Sequence, residues 1–317
     1  MVIYRSIKEI EPIRNSILTI GSFDGLHRGH QEIIKKVITT ANAIGEKSVV
    51  ITFDPHPKEI LMNHSPKVFE LLMDIDKKLA LLENLGIDIT FVIHFDLEFS
   101  HITANSFIEE VLIEKFYPKQ IIIGYDHHFG FRREGNSEFL QSYAENGNYT
   151  VVVVPEVKDQ DKIISSTFIR CLIKDGYVRR ASFELGWVYG FDAYIVHGAG
   201  RGHRLNFPTA NFILKDERQL IPKSGVYFAR GIFNMDVFYG MCNIGYRPTF
   251  DEKEFVMEIH FFDDFVRDIY GEIIEVQFLE RIRDEIKFSS KDELISQLHK
   301  DKEYCLSRIN IYSEEVK

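Results

Sequence analysis

The chain is short of cysteine, of positive charge and of long apolar runs, and each shortage removes a class of protein. Its three cysteines, Cys171, Cys242 and Cys305, stand single and far apart. Their number and spacing fit neither a disulfide framework nor a clustered zinc site, so a reducing cytoplasmic home is expected. Against 48 acidic residues there are only 38 basic ones, a net charge of -10. No broad positive surface is left for a nucleic-acid backbone, although local basic loops suit a nucleotide. No apolar run approaches the roughly 18 residues of a membrane span, and Met1-Val-Ile-Tyr-Arg-Ser-Ile lacks a leader pattern. The sequence therefore predicts a soluble, untargeted protein with no membrane or nucleic-acid partner. Neither an internal repeat nor a low-complexity tract is present.

What the chain does contain divides it in two. Its 317 residues, 45% of them apolar, suffice for two modest cores. In the first half, short β-branched or aromatic runs at 17–23, 47–53, 89–95, 120–124 and 149–154 alternate with segments of helical apolar spacing. Examples are Ile33, Ile34, Val37, Ile38 and Ala41, or Leu79, Leu82 and Leu85. Continuous apolar strands separated by helices predict a parallel sheet covered on both faces, with ligands at the C-terminal ends of its strands. After residue 184 the rhythm changes. Runs at 192–196, 225–229, 232–239, 255–261 and 273–278 are aromatic-rich and separated by turns, the pattern of a closed antiparallel barrel. A terminal helix follows, with Ser290 as cap and Glu293 at the capping-box position. The expected organisation is an α/β domain over 1–184 and a β-barrel domain with a terminal helix over 185–317.

Two glycine- and histidine-bearing clusters carry the chemistry. In Gly21-Ser-Phe-Asp-Gly-Leu-His-Arg-Gly-His30 the glycines let backbone approach a ligand as it leaves a strand, and the following helix aims N–H groups at an anion. His27 and His30 can donate hydrogen bonds to charge that grows on phosphorus, a catalysis without a protein nucleophile. Incidental histidines in a glycine-rich turn are the plainer alternative. The cluster has neither Gly-x-Gly-x-x-Gly nor a P-loop ending.

The second cluster, Gly198-Ala-Gly-Arg-Gly-His-Arg-Leu-Asn-Phe-Pro-Thr-Ala-Asn211, forms a locally basic loop. It ends in a threonine hydroxyl and an asparagine carbonyl, hard oxygen ligands suited to Mg²⁺ shared with phosphate. Glu258, alternating with Met257 and Ile259, can project its carboxylate away from the strand's anchoring face. A solvated strand carboxylate remains open as the other reading.

Four motifs in order carry a resemblance across the first half: Gly21-x-Phe-Asp-Gly-x-His-x-Gly-His30, Thr52-Phe-Asp-Pro-His-Pro57, Gly124-x-Asp-His-His-Phe-Gly-x-x-Arg-x-Gly135 and Ile164-Ser-Ser-Thr-Phe-Ile-Arg170. They resemble the adenylyltransferase half of bifunctional riboflavin kinase/FAD synthetases, and His27-Arg-Gly-His30 is similar to the HxGH signature of nucleotidylyl transferases. Pro208-Thr-Ala-Asn211, Pro222-x-x-Gly-Val-Tyr227, Asn243-Ile-Gly-x-x-Pro-Thr249, Glu258-x-His260, Tyr270-Gly271 and Arg283-x-Glu-x-Lys-Phe288 resemble riboflavin kinase in the same family.

The resemblance implies a parallel Rossmann-like nucleotidylyltransferase sheet followed by a kinase barrel, ATP as co-substrate, Mg²⁺, and riboflavin, FMN and FAD as substrates or products. It implies that Gly21, Phe23, Gly25, His27, Gly29 and His30 meet ATP phosphates while Ser165, Ser166, Thr167 and Arg170 close on the same nucleotide. His56, Asp126, His128 and Arg133 would line the flavin-nucleotide side. In the barrel, Gly198, Gly202, His203, Arg204, Thr209 and Asn211 would hold ATP and the metal. Glu258 would take the proton of the riboflavin hydroxyl, and Arg283 and Phe288 would contact flavin.

Alternatives for the sequence are a kinase with weak or altered adenylyl transfer, a flavin sensor without turnover, and nucleotidylyl transfer to another phosphate ester. Departures from the family pattern are His127 in place of the usual Phe, His203 in place of Arg, Asn206 in place of Gly, and Trp187-Val188 in the stretch between the halves. With a neutral imidazole at 203, weaker nucleotide affinity in the kinase half is expected.

Overall fold

A computed structural model describes residues 1–62, 69–144, 149–197, 207–248, 253–263 and 269–313. By contacts the chain forms two compact units, Met1–Ser166 and Thr167–Lys317.

The first unit holds six strands: β1 (Val2–Tyr4), β2 (Ile17–Ile20), β3 (Ser48–Asp54), β4 (Ile89–His94), β5 (Gln120–Gly124) and β6 (Thr150–Val154). They pair in the order β1-β4-β3-β2-β5-β6, every pairing parallel. The five apolar runs read from the sequence are β2 to β6. The edge strand β1 completes the sheet with exposed Val2 and Ile3. Because the central strands are covered on both faces, β2 is buried along its whole length and Val49, Val50 and Ile51 of β3 are fully buried. Helix α1 (Arg28–Ile44) lays Ile33, Ile34, Val37 and Ala41 against the sheet and ends at Gly45 in a left-handed cap.

The strand order creates a topological switch. From β2 the chain moves outward to β3 and β4, then crosses over to β5 on the other side of β2. A crevice therefore opens at the C-terminal ends of β2 and β5, the usual ligand position in such sheets. The turn bearing His27 leaves β2 and the loop bearing Asp126 leaves β5, so both motifs arrive at that crevice.

In the second unit six strands close into an antiparallel barrel. They are β9 (Gly190–Val196), β10 (Ala210–Leu214), β11 (Gly225–Phe233), β12 (Asp236–Pro248), β13 (Lys253–Phe261) and β14 (Ile273–Arg283), numbered after a small hairpin of β7 (Lys158–Asp159) and β8 (Lys162–Ile163) in the first unit. The barrel order is β10-β13-β12-β11-β14-β9, and closure leaves no free edge. The run 232–239 is not one strand. Asn234 and Met235 turn left-handed, at φ 51° and 70°, and split it into the β11–β12 hairpin. Methionine, here 94% exposed, carries no turn signal, so the run read as continuous.

The terminal helix Lys291–Ser313 starts as expected: Ser290 Oγ accepts the Glu293 N–H at 3.2 Å, while Glu293 Oε2 accepts from the Ser289 N–H at 2.9 Å. Its buried residues are Asp301, Cys305 and Tyr312, while Leu306 is exposed. Polar ties hold the helix. Asp301 receives Arg283, and the buried carboxylate of Glu280 on β14 accepts from Arg308 at 2.7 Å, Tyr312 at 2.7 Å and Tyr304 at 2.8 Å. Phe207, Phe228, Met241 and Leu279 pack with Cys305 and Tyr312.

Candidate active sites

The turn between β2 and α1 is strained. Phe23 and Leu26 lie at φ 46° and 35°, beside Gly25 at 78°, although both side chains are buried. Left-handed backbone at bulky residues persists where surrounding structure over-determines it, and such strain gathers at functional sites. Asp24 is fixed at the apex: its Oδ1 accepts the Leu72 N–H at 3.2 Å and its carbonyl accepts the Ser166 hydroxyl at 2.9 Å. Ser165 and Ser166 are thereby brought to the histidine turn.

His27 caps α1, its Nδ1 accepting the His30 N–H at 3.3 Å. The two imidazoles stack with ring centres 3.6 Å apart, and Phe23 meets His30 edge-on at 5.3 Å. Since Nδ1 of His27 accepts, its proton sits on Nε2 as a donor. Burial pulls the His27 imidazole down to about 4, and burial with the neighbouring His27 and Lys78 pulls His30 well below the ordinary value. Both rings are neutral near pH 7. His30 Nδ1 is covered and finds no hydrogen-bond partner among the described residues. A Cβ placed at Gly29 would stand 3.2 Å from His27 Nδ1, so glycine there leaves room for the ring.

Across the crevice, Asp126, His128 and Arg133 form one connected set. His128 Nδ1 lies 2.9 Å from the Asp126 carbonyl oxygen and 3.1 Å from an Arg133 guanidinium nitrogen. Protonated, it donates to the carbonyl; bare, it accepts from Arg133. His127 stacks on Phe129 at 5.7 Å, burial pulls it to about 4, and its Nε2 has no partner among the described residues. His56 caps the short helix Pro57–Leu61 by accepting the Lys58 N–H at 3.1 Å, and its ring stacks on Phe69 at 4.4 Å. The Asp54–Pro55 peptide before it is cis. Thr167 and Arg170 sit on helix Ser166–Lys174, one and four positions in, and are counted with the second unit.

In the barrel, Thr209 donates its hydroxyl to Glu258 Oε2 at 3.0 Å, and Asn211 and Asn243 flank Glu258 in the β10–β13–β12 ladder. Hydroxyl, amide and carboxylate oxygens thus converge. A hard divalent cation fits this donor set when nucleotide phosphates complete its shell. Among the described residues no group of three or more His, Cys, Asp or Glu could hold a metal by itself. Beside Glu258, Cys242 is buried, and burial and the carboxylate push its thiol well up. Next along the strand, His260 Nδ1 lies 2.8 Å from the Pro208 carbonyl and donates to it. That bond ties 207–209 to β13 and seats Thr209.

Arg283 grips Asp301 of the terminal helix at 2.7 and 3.0 Å and lies 5.9 Å over the Phe288 ring. The two predicted flavin contacts are therefore together, with Arg283 already paired. Gly198, Gly202, His203 and Arg204, with the Asn206 departure, lie outside the described residues.

Two family models match the chain: FAD synthetase over residues 9–168 and riboflavin kinase over 185–309. The bifunctional riboflavin kinase/FMN adenylyltransferase of Listeria monocytogenes is 36% identical over 290 residues, 91% of each chain. That of Bacillus subtilis is 34% identical over 295 residues, 92% of each. The chain belongs to the bifunctional riboflavin kinase/FMN adenylyltransferase family. A solved structure described as a macrolide-efflux protein from Streptococcus pneumoniae matches with a TM-score of 0.85 at 34% identity, over 95% of this chain and 97% of that one. For the family's members the two activities named are the two that the units' motifs imply. Among the described residues no helix is long and apolar enough to cross a membrane.

One residue at the first site is absent from the sequence reading. Lys78, on helix Ile75–Leu85, is buried beneath the histidine turn and donates to the Ser22 carbonyl at 2.8 Å. Its only signal in the sequence is its place beside Leu79 and one turn before Leu82 on the helix's apolar stripe.

Proposed function

We propose that the chain phosphorylates riboflavin to FMN with ATP in its barrel half, 185–317, and adenylylates FMN to FAD with release of pyrophosphate in its α/β half, 1–184. The hydrogen bond between Thr209 and Glu258 carries the kinase reading, because it sets a proposed metal ligand beside a proposed base. Glu258 takes the proton of the riboflavin 5′-hydroxyl as that oxygen bonds to the γ-phosphorus and the bond to the β–γ bridging oxygen breaks, leaving ADP. Thr209 and Asn211 hold Mg²⁺, which supplies charge neutralisation to the phosphates. Arg283 and Phe288 border the flavin.

For adenylyl transfer, a phosphate oxygen of FMN attacks the α-phosphorus of ATP and pyrophosphate leaves. FMN's phosphate is already a nucleophile, so position and charge matter more than a base. The stacked His27–His30 pair supports this reading: neutral rings donate to phosphate oxygens without adding fixed charge. Ser165 and Ser166, at the same turn, and Thr167 and Arg170 complete the hold on ATP. Asp126, His128, Arg133 and His56 orient FMN. Flavins and ATP are its partners, and the cytoplasm is its place of work.

Purified chain incubated with riboflavin, ATP and Mg²⁺, with flavins separated over time, tests the proposal. FMN followed by FAD is expected. FMN alone removes the adenylyltransferase reading. Formation of neither product removes the kinase reading, and no FAD from supplied FMN then removes the other.

A further inference from the structure

We propose that Lys78 is a positioning residue for FAD formation: its ammonium, sealed beneath the turn after β2, holds the Ser22–Phe23 peptide in the orientation that sets the His27–His30 pair. The inference rests on the adenylyltransferase reading of the first unit. A lysine is rarely buried unless its charge is paired. Here the Nζ donates to the Ser22 carbonyl at 2.8 Å and lies 3.4 Å from Thr52 Oγ1, which itself donates to that carbonyl at 3.3 Å. One carbonyl oxygen thus receives two side-chain donors, one of them charged.

That double hold explains the strained backbone above it. A trans peptide points its N–H opposite its C=O, so drawing the Ser22 carbonyl toward Lys78 turns the Phe23 N–H to the other side. There it donates to no group among the described residues. Phe23 is driven to φ 46°, and its ring meets His30 edge-on, stacked in turn on His27. Lys78 therefore acts on the histidines through Phe23, without touching the reacting atoms.

The charge has a second effect. Asp24 of the turn and Asp54 at the end of β3 face the ammonium, and His30 faces it from α1. Lys78 thus sets a positive charge against these two carboxylates beside the turn proposed to receive a triphosphate. Burial lowers the Lys78 ammonium to about 8, with Asp24 and Asp54 working against that fall. It is charged below that pH and loses its charge above it, while an arginine in its place stays charged throughout.

The test uses the full chain and reads both reactions from one preparation. Lys78→Met should lower kcat for FAD formation from supplied FMN at least tenfold while riboflavin phosphorylation stays at the parent rate; hydrogen-exchange protection of the β2–β5 strands at the parental level reports that the first unit, which carries Lys78, is folded. In the parent, kcat/KM for ATP in FAD formation should decline as pH rises through about 8. Lys78→Arg should restore activity over Lys78→Met and carry a flat profile to pH ~9.5, since guanidinium does not titrate there. A Lys78→Met variant with parental FAD formation, or a Lys78→Arg profile superimposable on the parent's, overturns the inference alone. Absence of FAD formation in the parent overturns the underlying reading as well.

Discussion

Gly29→Ala should separate stability from catalysis in the first unit. Gly29 is the second residue of α1, where alanine is the better helix former by about 0.5–1 kcal/mol. Its new Cβ would meet His27 Nδ1 at 3.2 Å and Cε1 at 3.3 Å. Comfortable contact is about 3.6 Å, so the imidazole must yield by roughly 0.4 Å. It has little freedom to do so, stacked on His30 and capping the helix. If a 1 Å displacement costs about a hundredfold in rate, 0.4 Å scales to about sixfold, near 1 kcal/mol of barrel-independent barrier. The assay is twofold: thermal unfolding, and kcat for FAD formation from supplied FMN beside riboflavin phosphorylation. The helix gain and the crowding of the ring oppose each other, so Tm should stay within about 2 °C of the parent's, FAD formation should fall about sixfold, and phosphorylation should not change. FAD formation at the parental rate in a protein of undiminished Tm would refute the link between His27's position and the reaction.

Further outcomes follow from other parts of the molecule. Glu280→Ala strips the acceptor from Arg308, Tyr304 and Tyr312; since Arg308 keeps 27% of its side chain exposed, a loss of about 2–3 kcal/mol is expected in urea unfolding, below the ~3–5 of a fully buried pair. Burial opposes ionisation of Glu280, but hydrogen bonds from Arg308, Tyr312 and Tyr304 outweigh it and hold its carboxyl below the usual range. Its stabilisation is therefore full above the unfolded glutamate value and lost as pH falls through the folded one, and Glu280→Gln should remove that part of the acid slope in unfolding midpoints as pH falls below the unfolded glutamate value of about 4.3. Asn211→Ala should raise the Mg²⁺ needed for half-maximal FMN formation about tenfold while FAD formation from supplied FMN keeps its Mg²⁺ dependence; equal requirements in both proteins would deny Asn211 a ligand role.

Much of this architecture was written in local patterns. The β-branched runs marked β2 to β6 because those strands are buried on both faces, and Ser290 with Glu293 marked the start of the last helix. The edge strand β1 was illegible because three residues, two of them exposed, make no pattern. β10 went unread as a strand because it opens on alanine and asparagine, residues of low β propensity. Order along the chain placed the histidine turn, and the strand crossover turned that order into a crevice. Lys78 stayed hidden because its burial depends on a carbonyl 56 residues earlier. The grip of Glu280 on the terminal helix likewise pairs residues at least 24 apart.

Crossed lesions in one chain test the assignment of the two reactions to two sites most directly. Glu258→Gln and His30→Ala are each assayed for FMN from riboflavin and for FAD from supplied FMN. Glu258→Gln should lose phosphorylation and keep adenylylation, and His30→Ala should do the reverse. Loss of both products in either folded variant, or of neither, would contradict it.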